Sequence, residues 1–400
     1  MHIGFLTHFY PPETGAAAIR LSRLAQAFVA EGHQVTVITG MPNYPEGTIH
    51  PAYRGKLVCS ETIGGVEVKR VWVYASPRKA ARNRIFNQIS FATMGALRGT
   101  FTKRPDVLLV ESHPLFVCLS AGWLKRVKRV PIVLNVSDLW PDSAVATGVL
   151  SPDSPLIRVA KPIERWAYRD AAHVVGMTEG VVSGIAQYTN NVTLIRNAVD
   201  LTRFYPADEA RRAAAKKALG LGDAFVAVHI GNMSLTYDFD ILLEAAKAIP
   251  DMLLVFAGAG SQFEATRAKA ETLPNVRFLG LLPHEQMPDV WASADLCLIA
   301  LRDHSVAGGT LPAKMYEAMA SGVPVVAAIR GEGAEMLTSA RAGTAVPVGD
   351  PAAMIAAIKH LRADAVLREQ ASAAGRGYAE QNFQVRNLTQ SYLQILKSVL

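Results

Sequence analysis

Residues 307–326 read Ala307-Gly308-Gly309-Thr310-Leu311-Pro312-Ala313-Lys314-Met315-Tyr316-Glu317-Ala318-Met319-Ala320-Ser321-Gly322-Val323-Pro324-Val325-Val326. A Gly-Gly-Thr loop opens a helix at Pro312, a residue favoured in the first turn. The helix stops at Ser321-Gly322, and an apolar β-branched run follows at once. Lys314 lies in the first turn, where a cation opposes the helix dipole unless an anion lies there too. Glu317 follows three residues later on roughly the same face. A carboxylate there can accept hydrogen bonds from both hydroxyls of a ribose; the plainer reading is a solvated helix glutamate. Loop, helix, tight turn and strand make one repeat of an α/β pattern.

The same unit recurs along the chain. Short apolar runs over 2–7, 34–39, 66–73, 107–111, 132–136, 173–176 and 192–195 read as strands. A second set covers 225–230, 253–257, 276–278, 296–299, 323–327 and 344–346. Between them lie helical patterns at 17–31, 240–247, 262–272, 283–294, 312–321 and 351–362. Nearly all-apolar strands alternating with helices imply parallel sheets covered on both faces. Residues 197–206 read as a linker, and 387–400 form a last amphipathic helix. With 400 residues, two cores are expected.

Composition narrows the class. Cys59, Cys118 and Cys297 are far apart and without C-x-x-C spacing, which speaks against a disulfide framework or a zinc site. No basic leader precedes the first strand, and no apolar run reaches the ~20 residues of a membrane span. A cytoplasmic protein, soluble or peripheral, is expected. Residues 1–204 hold 23 Lys/Arg against 14 Asp/Glu, and residues 205–400 hold 18 against 20. The positive excess therefore belongs to the first half. It gathers at Arg78-Lys79-Ala80-Ala81-Arg82-Asn83-Arg84, ahead of Ile85, Phe86, Ile89, Phe91, Met94 and Leu97, and again at 125–129. Cations beside an apolar helical face suit an anionic membrane surface. The alternative is a solvated helix packing its apolar side on the sheet.

In parallel α/β sheets ligands collect at the carboxyl ends of strands, near helix N-termini. The first such loop, 9–18, ends in Gly15-Ala16-Ala17-Ala18, small enough for a diphosphate or sugar to approach the Gly15 and Ala16 amides. It is also what a tightly packed helix start looks like. It is not G-x-G-x-x-G, so a dinucleotide-dependent dehydrogenase is not indicated.

Glu317-Ala318-Met319-Ala320-Ser321-Gly322-Val323-Pro324-Val325-Val326 resembles the donor-binding helix of the family-4 retaining glycosyltransferases. The junction Arg196-Asn197-Ala198-Val199-Asp200, with Phe204 and Pro206, is similar to the family's linker, with Ala198 in place of glycine. Ala257-Gly258-Ala259-Gly260, Gly280 and Gly349-Asp350-Pro351 fit the same scheme. The first half resembles a narrower branch, that of fucosamine transfer and of colanic acid and O-antigen assembly. Tyr10-Pro11-Pro12-Glu13, the stretch 40–47 and Asp138-Leu139-Trp140-Pro141-Asp142 carry that likeness.

The resemblance implies the GT-B fold, two facing Rossmann-like domains with a deep interdomain cleft and a C-terminal helix crossing back to the first. The expected domains are an acceptor domain of residues 1–200 with the helix 383–400, and a donor domain of residues 201–382. The implied donor is a UDP-sugar, GDP remaining open, with Gly231, Asn232, Gly258, Gly308, Gly309, Thr310 and Leu311 joining Gly15, Ala16, Lys314 and Glu317 around it.

Three family features are absent. Gly309 stands eight positions before Glu317, where many members carry a second glutamate. The stretch 231–238 has no Arg or Lys, so the diphosphate must find its charge elsewhere; Lys314 is the best candidate and Arg302 a weaker one. The family histidine near the strand 132–136 is missing, which leaves Asp138 and His113 as candidate acceptor-side groups that orient a hydroxyl or take its proton. Each has a plain alternative: Asp138 as a helix cap, His113 as a surface residue. Glu179 and Glu335 are strand-end carboxylates that suit helix starts equally well.

No His/Asp/Glu cluster has metal-ligand spacing, so neither metal nor cofactor is expected; Lys314 and a helix N-terminus would stabilise the departing nucleotide diphosphate. The whole reading is a retaining transferase moving a sugar, such as an N-acetylated deoxyhexosamine, to a lipid-linked or saccharide acceptor in bacterial surface polysaccharide assembly. It would work at the inner face of the membrane, without nucleic acid. The competing readings are a nucleotide-sugar epimerase on the same fold and a noncatalytic protein binding sugars or anionic surfaces.

Overall fold

The computed structural model describes residues 1–13, 15–44, 46–78, 80–146, 148, 150–303 and 311–400, and every count and absence below refers to these. Gly308, Gly309 and Thr310 lie outside them. The chain forms two compact units, Met1–Asn197 with Val385–Leu400, and Ala198–Gln384.

The first unit is built on an eight-stranded sheet: β1 His2–Leu6, β2 Gln34–Gly40, β3 Val58–Ile63, β4 Val66–Val71, β5 Val107–Glu111, β6 Ile132–Val136, β7 His173–Gly176 and β8 Val192–Leu194. Their order is β3-β4-β2-β1-β5-β6-β7-β8. The expectation of a wholly parallel sheet needs one correction, because β3 is an added edge strand running antiparallel to β4. The two are joined by Gly64-Gly65, with φ +56° and +80°. A two-residue hairpin needs positive φ at both central positions, which glycine adopts without strain.

Every residue of β1, β5 and β6 is buried, as a sheet covered on both faces requires. One face is covered by the helix Ala16–Ala30, through Leu21, Leu24 and Phe28. Tyr392, Leu393 and Leu396 of the last helix, Val385–Ser398, join the same core. Each such side chain contributes roughly 1.5–3 kcal/mol by leaving water, so the C-terminal helix is held to this unit by apolar burial. The other face is covered by the helices Ala81–Thr100 and Val117–Lys128.

The second unit has six strands, all parallel: β9 Phe225–Ile230, β10 Met252–Ala257, β11 Val276–Gly280, β12 Leu296–Ala300, β13 Val325–Ala328 and β14 Gly343–Val346. Their order is β11-β10-β9-β12-β13-β14. The chain leaves β9 outward through β10 and β11, then returns to lay β12 on its other side. The first unit does the same about β1, with β2 on one side and β5 on the other. Doubly wound sheets bind ligands at the carboxyl ends of the strands where the order reverses. That singles out two places, the ends of β9 and β12 and the ends of β1 and β5.

Two helices differ from expectation. The pattern over 283–294 divides into a 3-10 turn, His284–Gln286, and the helix Met287–Ser293. Pro288 lacks the N–H that a continuous helix would need there and fits only a first turn. Pro312 is the extended residue before the helix Ala313–Ala320, not its first helical one.

Candidate active site

At the end of β9 the buried imidazole of His229 donates from Nδ1 to the carbonyl of Leu298 in β12, 3.0 Å away. That bond spans the two strands of the switch point and leaves the lone pair on Nε2. Lys314, the second residue of the helix Ala313–Ala320, donates to it from Nζ at 2.7 Å. The Lys314 nitrogen also lies 3.9 Å from the centre of the Tyr237 ring. Tyr237 and Phe239 stand edge-on to the imidazole, at 5.0 and 5.2 Å between ring centres. Burial drives the His229 pKa well below its ordinary value, Lys314 adding to the effect. Burial also brings the Lys314 amine down to about 7, against the opposing pull of Cys297 and Glu317. Lys314 therefore does not point into solvent as a first-turn cation might; it reaches inward, over the strand ends.

The loop after β9 closes this pocket. Gly231 has φ +108°, and a Cβ there would come within 3.7 Å of the end of Lys314. Its amide donates to the Ala257 carbonyl at 2.8 Å. Gly258 has a packing reason of its own: a Cβ at that position would lie 1.9 Å from the Gly231 oxygen. Asn232 is exposed on the same loop, and Leu311 is half-buried against the core. Arg302, after β12, donates from Nε to the Tyr237 carbonyl at 3.0 Å. Glu317 is half-buried, and its Oε2 accepts the indole proton of Trp291 at 3.1 Å. The plain reading of Glu317 as a free solvated residue is thereby replaced by an oriented carboxylate.

The first unit places a second polar cluster at its own switch point. Glu111 ends β5, buried, and accepts from Arg20 at 2.7 Å, Asn135 at 2.5 Å and Ser137 at 2.7 Å. The Tyr392 hydroxyl donates to Asn135 Oδ1 at 2.5 Å. His113 and Asp138 follow β5 and β6, and both are exposed. The next helix begins at Asp142, so Asp138 is not its cap. Although water reaches Asp138, the protein around it pushes its carboxyl above the ordinary range; His113 and Arg20 pull it back and Glu111 adds to the rise. His8, beyond β1, is buried against Phe9 and Phe91 and held near 3 by burial, with His113 adding to the effect.

Gly15 is the extended residue before the helix Ala16–Ala30; a Cβ there would make only ordinary contact, 3.7 Å from the Tyr44 ring. The loop around it is shaped by Glu13. Its buried carboxylate accepts the amides of Asn43 and Tyr44 at 2.9 and 3.0 Å and that of Tyr10 at 3.2 Å. Burial raises its pKa to about 7 against these bonds. Arg70, also buried, holds the carbonyls of Gly40 and Pro11 and pairs with Glu61. Of the remaining candidates, Glu179 forms an exposed ion pair with Arg196 at 2.7 Å, and Glu335 lies in the first turn of the helix Glu332–Ala340. Among the described residues no group of three His, Cys, Asp or Glu side chains could hold a metal ion.

Of the residues that sequence reasoning brought forward, Gly231 follows β9, Lys314 and Glu317 lie on the helix after β12, and His113 and Asp138 follow β5 and β6. Sequence reasoning missed His229, Tyr237 and Trp291 in one unit and the Arg20–Glu111–Asn135–Tyr392 chain in the other. The available signal was a polar residue inside an otherwise apolar strand: His229 in β9, Glu111 in β5 and Asn135 in β6. Burying such a group requires a partner.

The chain is thus built of two doubly wound units, one with a buried lysine amine over its strand ends beside an oriented carboxylate. Residues 15–198 match the family model described as Glycosyl transferase 4-like domain, and residues 224–364 that described as Glycosyl transferases group 1. The chain belongs to this family of glycosyltransferases and has the GT-B fold. It is 23% identical to the putative colanic acid biosynthesis glycosyl transferase WcaI of Escherichia coli, over 97% of this chain and 98% of that one. It is 29% identical to a GDP-mannose-dependent alpha-(1-6)-phosphatidylinositol monomannoside mannosyltransferase of Mycolicibacterium smegmatis, over 69% of this chain and 81% of that one. Among solved structures, Anabaena Alr3699/HepE in complex with UDP-glucose superimposes with a TM-score of 0.75, at 18% identity and 100% coverage of both chains. No helix among the described residues is long and apolar enough to cross a membrane.

Proposed function

We propose that this glycosyltransferase takes a nucleoside-diphosphate sugar at the ends of β9 and β12 and passes the sugar, with retention and without a metal, to a lipid-linked or saccharide acceptor. The observation that carries the reading is the buried Lys314 amine at a helix start over the strand switch point. A diphosphate is the ligand that a lysine amine and the amides at a helix start suit together. As the sugar–phosphate bond breaks, charge grows on the departing diphosphate, and a prepositioned cation stabilises that change. Glu317, aimed by Trp291, is the candidate acceptor for the ribose hydroxyls. Gly308, Gly309 and Thr310 complete this reading from the sequence alone.

In the first unit, Asp138 and His113 are the candidate groups for the acceptor hydroxyl, and Gly15 and Ala16 at the start of the helix Ala16–Ala30 are candidates for binding sugar or phosphate through their amides. The likeness to WcaI supports surface polysaccharide assembly, with an N-acetylated deoxyhexosamine such as FucNAc as the sugar to try first. UDP is the first carrier to test, and the mannosyltransferase relative is a specific reason to test GDP beside it.

The basic half of the chain supports a peripheral contact with the inner face of the membrane. The apolar residues of the helix Ala81–Thr100 do not act together: Phe91 is buried in the core, whereas Phe86, Ile89 and Leu97 are exposed. Phe101 is 80% exposed and follows Thr100, whose Oγ1 accepts from the indole of Trp123 at 3.0 Å. Lys125 and Arg126, which share Asp170, and Lys128 lie in the last turn of the helix that carries Trp123.

Saturation-transfer NMR against UDP- and GDP-sugars, on wild type and Glu317→Ala, tests the donor site. Selective binding of one nucleotide sugar, lost in the variant, is the expected result. A folded protein that binds none of them overturns the reading, and conversion of a bound donor without an acceptor would make it an epimerase.

A further inference from the structure

We propose that Lys314 and His229 couple donor binding to a proton: Lys314 rests as a neutral amine and takes up one proton from solvent as the diphosphate arrives. The proton leaves again with the departing nucleotide. This rests on the donor-site reading above and adds to it a positioning role for His229.

The geometry makes Lys314 a poor resting place for a charge. Lys314 is buried, its hydrogen-bond partner is an imidazole nitrogen, and among the described residues no ion pair forms with it. Among the described residues, the groups that face it come from four directions. From β9 there is His229, whose Nδ1 is committed to the Leu298 carbonyl, so that Nε2 accepts and cannot donate. From the loop beyond comes the Tyr237 ring, with Arg302 bonded to the Tyr237 carbonyl. From β12 comes the buried thiol of Cys297, which burial pushes up to about 12 and so keeps protonated. From its own helix comes Glu317, whose carboxylate accepts from Trp291 one turn away. None of these supplies a contact anion, and burial alone disfavours an ammonium. His229 gives the amine one acceptor and holds it over Gly231, where the strand ends meet the helix start.

A diphosphate reverses the balance by bringing negative charge to an ammonium in a poorly hydrated site, and the protonated form becomes the stable one. Binding and proton uptake are then linked, and the affinity for nucleotide falls as pH rises above neutrality, by about tenfold per unit while the free amine is neutral and the bound one charged. His229 stays neutral throughout: a second positive charge beside Lys314 would defeat the arrangement.

Calorimetric titration with UDP, repeated with GDP, in HEPES and in Tris at pH 8, reads the proton count directly from the dependence of heat on buffer. Uptake near one proton per nucleotide is expected for wild type, with affinity falling between pH 7.5 and 9. Lys314→Arg, which remains charged, is expected to bind with no uptake and a flat pH profile. His229→Gln, which keeps an acceptor but cannot titrate, is expected to retain uptake. Nucleotide binding by wild type with no buffer dependence and a flat profile overturns the coupling while leaving the donor site intact. Uptake lost in His229→Gln but kept in Lys314→Arg overturns the assignment to Lys314. No binding of either nucleotide removes the donor site and the coupling with it.

Discussion

The hydroxyl of Tyr392 donates to Asn135 Oδ1 at 2.5 Å, and Asn135 passes the connection on by donating to Glu111. One bond thus ties the last helix of the chain to the buried polar cluster at the ends of β5 and β6. Its donor and acceptor are 257 residues apart in sequence.

Tyr392→Phe keeps the ring and deletes only the donor. Asn135 Oδ1 is left buried without this partner, at a cost of about 1–3 kcal/mol. For a unit of this size each kcal/mol lowers the melting midpoint by about 2–4 °C. Thermal unfolding followed by circular dichroism checks it. An unchanged midpoint would mean that apolar burial alone anchors the helix.

Glu13 supports a second prediction about loop shape. Its carboxylate gathers the amides of Tyr10, Asn43 and Tyr44, so two loops from different strands share one acceptor. Glu13→Ala leaves three donors without that acceptor and is expected to destabilise by roughly 2–4 kcal/mol. Glu13→Gln retains one carbonyl oxygen and is expected to lose about half as much. Urea midpoints of the two variants compare them; equal losses would locate the effect in packing and not in the acceptor.

The parts of this molecule that local pattern dictates were legible in advance. The apolar runs of β5, β6 and β9 announced buried strands, and Ser321-Gly322 announced the end of its helix. The edge strand β3 was missed, because its alternation of half-buried and exposed residues lacks the apolar run by which the others are found; Gly64-Gly65 was the one local signal for it. What the sequence could not yield was direction. Lys314 at a first-turn position points either to solvent or to the sheet, and the residue that decides it, His229, is 85 positions away. Glu111, Asn135 and Tyr392 likewise become one cluster only when the strand order sets β5 beside β6 and the last helix across them.

Burial of Lys314 has a consequence for the empty protein. Its folded pKa, about 7, is below the ordinary 10.5. Between those values the unfolded chain binds the extra proton, so this residue's contribution to stability rises with pH from about 7 to about 10.5 and is lost as pH falls through 7. Lys314→Met is expected to abolish that part of the slope and to be the more stable protein at pH 7. Urea unfolding at pH 7 and pH 9 measures it: a difference between wild type and variant that does not change with pH would contradict the buried neutral amine.

Glu317 and Trp291 are expected to separate in donor kinetics. Glu317→Gln removes the charge from hydrogen bonds worth about 1.5–3 kcal/mol each, which predicts a roughly 10–100-fold loss in kcat/KM for the donor. Trp291→Phe leaves the carboxylate but deletes the indole donor that aims it. A smaller rise in the donor KM is expected, with kcat little changed, because misaiming weakens binding more than chemistry. Equal loss in both variants would place Glu317 in the packing of the helix and not at the ribose.

The patch around Phe101 and Trp123 makes the last prediction, since cations and exposed aromatic rings respond to different perturbations. Phe101 and Trp123 are 80% and 54% exposed, and Lys125, Arg126 and Lys128 close the helix that carries Trp123. On vesicles containing phosphatidylglycerol a free cation contributes about 1 kcal/mol, less for Lys125 and Arg126 because they share Asp170, and full burial of each ring contributes about 1.5–3 kcal/mol. High salt shortens the Debye length to about 3 Å at 1 M and weakens only the first contribution. Wild type is therefore expected to sediment with anionic vesicles, to be partly released by salt, and to lose roughly tenfold or more of its binding in Phe101→Ser/Trp123→Ser. Neutral phosphatidylcholine vesicles should retain far less protein. Were the double variant to bind as wild type does, the rings would not enter the bilayer, and the charge excess would be acting alone.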